Sequence, residues 1–282
     1  MILVTGATGN VGGAVLEQLM EAGQKVRVLA RDPARLGELG RAVEVVKGDL
    51  SKPETLGPAF AGVGGAFVVC AGGDLATLAG NAAGAAREAG VRHIVLLSSS
   101  AVAGEPPIQI GRWHIDAEAR VTASGVAWTM VRPGAFASNT LQWAHAIKTQ
   151  GAVFHATGEG RTRPLDPRDI AAVAVKALTS PGHEGKAYVI NGPEALSTAE
   201  QVAKISKAIG KPLGVVDETE DAARERLEKA GLPEVFIRAV LEAFAMIRAG
   251  HGEAPSSTIE ELLGRKARTY DEWLERHVKA FQ

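Results

Sequence analysis

The chain has 282 residues, 46% of them apolar, with 31 basic and 32 acidic side chains and a net charge of −1. This length has room for one large domain or two modest ones around a sizeable core, and the balanced charge offers no electrostatic footprint for nucleic acid or an anionic membrane. The single cysteine, Cys70, excludes an internal disulfide and reads as a small buried hydrophobe in the apolar run 66–71. No apolar stretch reaches the roughly 18 residues that span a bilayer, and Met1 leads straight into apolar sequence. The expectation is a cytoplasmic protein with a small-molecule substrate and no membrane or nucleic-acid partner, with a homodimer left open.

Ile2-Leu3-Val4 reads as a short strand, and TGATGNVG (5–12) follows it directly. A strand, glycines at positions 6, 9 and 12 and then an amphipathic helix form the front of a dinucleotide-binding βαβ unit. Gly6 permits the tight turn, Gly9 lets backbone approach a pyrophosphate, and Gly12 lets the helix pack close to the strand. The helix N-terminus offers N–H groups and a positive dipole end to phosphates. Gly6, Thr8, Gly9, Asn10 and Val11 are therefore cofactor-binding candidates.

Strand and helix patterns then alternate. Residues 11–22 carry Val11, Val15, Leu16 and Leu19 on one helical face and stop at Gly23. Residues 25–30 and 43–46 read as the second and third strands, and 66–70, apolar throughout, as a fourth buried on both faces. Residues 75–89 are helical, 94–97 a fifth strand, 112–123 a helix and 128–131 a sixth strand stopped by Arg132-Pro133-Gly134. This alternation predicts an α/β fold: a Rossmann-type, doubly wound parallel sheet with right-handed crossovers. Further on, Asp166 before Pro167 is a helix N-cap, 188–190 read as another strand, and Ser197 and Thr269, each three residues before a glutamate, open capping boxes. Residues 221–250 have helical pattern broken near Gly231–Pro233, and 251–257 read as an exposed loop. The predicted organisation is a dinucleotide-binding domain over 1–150, with 165–192 returning to the sheet, and a smaller, mostly helical substrate lobe over 193–282.

The end of the second strand bears on the coenzyme. An acid there bonds a ribose 2′-hydroxyl, whereas an arginine grips a 2′-phosphate. Arg31 stands there, with Arg35 one helical turn on, so NADP(H) is expected ahead of NAD(H). Asp32 either faces the ribose or opens a helix before Pro33. After the third strand, Asp49 can accept from an adenine amino group while Leu50 packs on the ring. Ala71-Gly72-Gly73 end the fourth strand with small residues that let a ribose approach.

At these positions the chain resembles the short-chain dehydrogenase/reductase superfamily, and more closely its atypical NmrA-like branch, which includes triphenylmethane-dye reductases and flavin-free quinone reductases. The matching segments are TGATGNVG, Arg31-Asp32-Pro33, Gly48-Asp49-Leu50, 96–99, SGVAWTMVRPGAF (124–136) and DPRDIA (166–171). The resemblance places a substrate-facing serine at Ser98 or Ser99, and Ser98 is also counted among the cofactor-binding candidates. The resemblance also brings the backbone of Pro133, Gly134 and Phe136 to the nicotinamide amide. Ordinary members use a tyrosine–lysine pair, yet counting back from Arg132-Pro133 puts Ile110 at the tyrosine position and His114 at the lysine position. The only tyrosines, Tyr188 and Tyr270, lie far downstream.

Reducing a ketone places charge on oxygen and rewards a proton donor. A cation or a quinone needs one less. The missing tyrosine thus points to electron-poor acceptors: quinone, iminium or cationic dye. Ser99 and His114 are the catalytic candidates; His114 either bonds the ribose or relays a proton, or it pairs with Glu118 on its helix face. Phe136, Asn139 and Trp143 are substrate-pocket candidates, with Trp143 equally able to pack the lobe. No Cys/His cluster has metal-ligand spacing, so no metal is expected. The leading reading is an NADPH-dependent reductase; the alternative is an NADP-sensing regulator without turnover.

Overall fold

A computed structural model describes residues 1–72 and 74–282. Gly73, read above as a small residue at the end of the fourth strand, lies outside the described residues.

The first half alternates as expected: β1 (Ile2–Thr5), α1 (Asn10–Glu21), β2 (Val26–Ala30), β3 (Glu44–Lys47), α2 (Gly57–Phe60), β4 (Gly65–Val69), α3 (Leu75–Glu88), β5 (His93–Leu97), α4 (Gln109–Thr122) and β6 (Ala127–Pro133). The rest comprises α5 (Ala144–Gln150), β7 (Ala152–His155), β8 (Arg161–Thr162), α6 (Pro167–Thr179), β9 (Lys186–Ile190), β10 (Leu196–Ser197), α7 (Thr198–Ile209), β11 (Gly214–Asp217), α8 (Glu220–Lys229), α9 (Glu234–Arg248), α10 (Thr258–Leu263) and α11 (Tyr270–His277). Seven strands form one parallel sheet in the order β3-β2-β1-β4-β5-β6-β9. The strand order reverses between β1 and β4. At such a switch point the loops leave in opposite directions and open a crevice at the carboxyl ends of the strands.

Alternating side chains build two cores. Val4, Val28 and Val95 face α1, α6 and Ile259 of α10, while Leu3, Leu29, Leu96 and Met130 face α2, α3 and α4. The capping signals act as expected. Asp166 accepts the N–H of Arg168, and the Ser197 and Thr269 boxes are both closed.

Helix α4 begins at Gln109, three residues before the predicted start. Its N-terminus has no local side-chain cap; instead the N–H of Gln109 donates to the Glu242 carboxylate of α9 at 2.6 Å. After Phe136 the chain leaves the sheet. Ala137, Ile147 and Val153 pack with Val202, Ile205, Trp273 and Leu274, so the lobe draws in residues that the expected boundary at 150 assigns to the dinucleotide-binding part. The lobe also holds β7 paired in parallel with β11, a pairing the sequence pattern does not announce. Buried Asp169 in α6 receives the guanidinium groups of Arg265 and Arg268, which pins the C-terminal segment against the sheet.

Candidate active site

The glycine turn is built for close approach. Gly6 sits at φ 65°, in the left-handed region that glycine occupies without strain, and a Cβ on Gly12 would lie 2.2 Å from the Gly6 carbonyl oxygen. At Gly9, the N-cap of α1, no side chain caps the helix, so the first-turn N–H groups at Asn10 and Val11 are not taken by a local acceptor. Val11's own side chain is buried in the core. At the floor, the N–H of Val69 donates to Thr5 Oγ1 at 2.8 Å and ties β4 to β1.

A cleft of about 850 Å³ opens over this turn at the switch point. It brings together Gly6, Thr8, Arg31, Arg35, Asp49, Leu50, Ala71 and Gly72 from the expected set. Asp32 resolves as the opener of a turn: its carboxylate accepts the N–H of Ala34 at 3.2 Å and caps the short helical segment that starts at Pro33 and kinks at Gly37. The nearby Arg27 and Arg41 are paired with Glu44 and Glu38, whereas Arg31 and Arg35 form no ion pair among the described residues. Asp49 is oriented by the N–H of Ser51 at 3.0 Å, and that bond, helped by Arg31, holds its carboxyl below the usual range. Sequence reasoning missed Ser51, Asp74 and Thr77 on the cleft wall. The spacing of Asp74 and Thr77, an N-cap and its third residue, was the available signal.

These features fit a dinucleotide: first-turn N–H donors with no local side-chain cap, guanidinium groups without an ion pair among the described residues, and a glycine turn on which α1 packs too closely for a Cβ at Gly12. Cys70 stands at the end of β4 with its thiol pushed up to about 12 by burial, so it is an inert hydrophobe there.

At the other end of the strand edge the polar groups divide their roles. Ser98 is buried, and its hydroxyl donates to Glu118 at 2.5 Å. Arg132 forks onto the same carboxylate at 2.9 and 2.6 Å. Glu118 is thus committed to Ser98 and Arg132, whose guanidinium reaches both oxygens, and the pairing with Glu118 that was one of the two readings of His114 does not form. His114 is half-buried with a buried Nδ1 that lacks a partner, and burial lowers its proton affinity against the opposing pull of Glu118. Ser99 Oγ accepts the N–H of Ala101 at 3.2 Å. Gly134 is also closely packed by the chain itself. A Cβ there would lie 2.4 Å from Asn191 Oδ1 and 2.7 Å from Glu253 Cγ. The loop after α9 folds back so that Glu253 accepts the N–H of Ala135 at 2.8 Å and of Arg163 at 2.9 Å. The loop is mostly exposed, as expected; what the sequence pattern does not announce is the inward reach of half-buried Glu253.

Neither Phe136, Asn139 nor Trp143 lines the cleft. Phe136 packs against the sheet core and Trp143 against the lobe core, while Asn139 is exposed. Both phenols are engaged elsewhere. Tyr188 lies 2.7 Å from His183 Nδ1, and buried Tyr270 donates to Thr140 Oγ1 at 3.0 Å. Among the described residues no group of His, Cys, Asp and Glu side chains could hold a metal ion, and no helix is long and apolar enough to cross a membrane.

A family model described as NAD(P)H-binding matches residues 6–181. The chain belongs to this NAD(P)H-binding family. It is 41% identical over 283 residues to an NAD(P)H azoreductase of Xenophilus azovorans, covering 100% of this chain and 99% of that protein. It is 44% identical, again over 283 residues and with the same coverage, to a (4-alkanoyl-5-oxo-2,5-dihydrofuran-3-yl)methyl phosphate reductase of Streptomyces griseus. Among solved structures, the NADPH-dependent quinone oxidoreductase of Escherichia coli in complex with NADPH is similar with a TM-score of 0.86 at 28% identity, over 98% of this chain and 99% of that one. These similarities place it in the NmrA-like branch of the atypical short-chain dehydrogenase/reductases.

Proposed function

We propose that this chain is an NADPH-dependent reductase of electron-poor acceptors (quinones, azo compounds, iminium ions or cationic dyes) that works without a tyrosine acid. The observation that carries the acceptor class is the placement of the two phenols, one on His183 and one buried against Thr140. Full-length similarity to reductases supports turnover over a purely regulatory role.

The coenzyme, when bound, supplies hydride. The N–H groups of the Gly6–Val11 turn would receive its diphosphate, Arg31 and Arg35 its 2′-phosphate, and Asp49, Leu50, Ala71 and Gly72 its adenosine. At the reacting end, Pro133, Gly134 and Phe136 would present backbone. Ser99 retains its hydroxyl proton for donation, since its oxygen is engaged only as an acceptor. His114, whose cationic form is disfavoured by burial, has its Nδ1 buried without a partner, so it would pass a proton from water to the reduced acceptor through Nε2. Exposed Asn139 would border the acceptor, together with whatever faces Phe136 and Trp143 leave outside the cores they pack against.

The test follows NADPH absorbance with a quinone, an azo dye, a triarylmethyl dye and a cyclic imine. Oxidation with at least one is expected. A protein that binds NADPH and oxidises it with none of the four would overturn the reading.

A further inference from the structure

We propose that Glu118 is a positioning residue for hydride transfer. With half-buried Arg132 and buried Ser98 it forms a lock that sets α4, β5 and β6 in one register at the reacting edge. The inference rests on the reading that the acceptor meets the coenzyme at this edge.

Each member of the lock is the neighbour of a residue assigned to that edge. Glu118 lies one turn after His114 in α4, Ser98 immediately precedes Ser99, and Arg132 immediately precedes Pro133-Gly134. The Arg132 fork joins α4 to β6, and the Ser98 hydroxyl joins α4 to the end of β5. The N–H of Ser98 also donates to the Val131 carbonyl at 2.8 Å, closing the third side. A shift of α4 against the sheet therefore has to break charge-assisted bonds in a site where Glu118 is buried.

Two further arguments favour a positioning role over a purely stabilising one. A buried ion pair is a poor stabiliser beside an apolar pair of the same volume, because two charges have to leave water. Its value lies in the geometry that it specifies. Proton bookkeeping also separates the tandem serines. The one hydroxyl proton of Ser98 is committed to the carboxylate, so Ser98 cannot donate to an acceptor. Ser99 uses its oxygen for the Ala101 N–H and keeps its proton.

The experiment compares wild type with E118Q, S98A and the double variant E118M/R132M, which removes both charges at similar volume. Steady-state kinetics, NADPH affinity by fluorescence titration and melting temperature are measured for each. The lock predicts that kcat falls about tenfold to a hundredfold in E118Q and in the double variant, the scale of a small misplacement of reacting groups. NADPH affinity should stay within about twofold, since phosphates and adenosine are held between β1 and β4. S98A should lose kcat severalfold at nearly unchanged melting temperature. If the double variant regains both wild-type melting temperature and wild-type kcat, or if affinity falls in step with kcat, the lock is merely structural and the proposal is wrong. S98A with wild-type kcat overturns it even if the double variant fails to fold. Absence of wild-type turnover would strike the functional reading instead. The emission of bound reduced nicotinamide then reads the lock: it should differ between wild type and E118Q at equal affinity, and identical emission refutes the proposal.

Discussion

The Asp32 carboxylate accepts the backbone N–H of Ala34 at 3.2 Å, which spends the one acid at the end of β2 on opening a turn. On the proposed reading, the coenzyme's 2′-phosphate would then fall to Arg31 and Arg35, which line the cleft wall. Replacing Arg31 by alanine removes a charge-assisted contact worth about 1.5–3 kcal/mol. R31A should therefore raise KM for NADPH by about tenfold to a hundredfold and leave KM for NADH nearly unchanged. Equal effects on the two coenzymes would show that Arg31 does not meet the 2′-phosphate. The double variant R31A/R35A should lose the preference for NADPH.

The glycines of the turn should separate folding from binding. A Cβ at position 12 would lie 2.2 Å from the Gly6 carbonyl, so G12A has to push α1 off β1. Overpacking of this kind costs about 1–3 kcal/mol, and the melting temperature should fall with it. At position 9 the nearest contact is that same oxygen at 3.3 Å, which small adjustments relieve. Nothing else crowds the added methyl within 4 Å, and Gly9 is exposed rather than in the core. G9A should melt near wild type while its NADPH affinity drops at least tenfold, on the order of 1.4 kcal/mol. Parallel losses in both variants would show that the turn serves folding alone.

The features read correctly from sequence are those whose determinants lie within a few residues of one another. The glycine turn, the Asp166 cap and the two capping boxes at Ser197 and Thr269 each act over one helical turn. What escaped depends on partners distant in the chain. Glu242 caps α4, Arg132 draws Glu118 away from His114, β11 finds β7, and Glu253 covers the turn after Gly134. No local pattern encodes those choices, because each is settled by packing of elements whose separate patterns look ordinary. The same division runs through the candidate site: the cleft over the glycine turn is lined by residues that the motif singles out, whereas the placement of Ser99, His114 and Phe136 depends on how the lobe and α4 dock.

Stability should fall on mild acidification. Burial lowers the proton affinity of His93, His114, His155 and His183 from the ordinary value of 6.5. For such groups the unfolded chain binds protons more readily, so the native advantage is complete above pH 6.5 and shrinks as pH drops toward the depressed folded values. A second decline should follow at lower pH. The Asp49 and Glu272 carboxyls are held below their ordinary values of 3.8 and 4.5, chiefly by the N–H groups of Ser51 and Thr269, and that advantage disappears once they protonate. Melting temperature measured from pH 8 to pH 3 should therefore show two falling limbs. H114Q should shallow the upper limb and leave the lower one in place. A flat profile between pH 7 and pH 5 would contradict the burial of these histidines.

Glu253 offers a test of how far the returning loop shapes the turn after β6. Its two oxygens accept the N–H groups of Ala135 and Arg163 separately, and the Asn191 side chain holds the next residue through the Ala254 carbonyl at 2.8 Å. Truncation in E253A strips both donors of their acceptor, at about 1–3 kcal/mol for each one that water cannot reach. The glutamine in E253Q keeps one acceptor oxygen but turns an NH₂ toward the other N–H, so it should recover part of the loss. Melting temperatures should rank wild type above E253Q and E253A lowest. Amide exchange at Ala135 and Arg163 should accelerate in the same order. Because Ala135 lies between Gly134 and Phe136, kcat should decline with the exchange protection even where the melting temperature is only modestly lowered. Unchanged exchange at Ala135 in E253A would mean that the turn is held by the Gly134–Ile190 and Leu165–Ala135 backbone bonds without help from the loop.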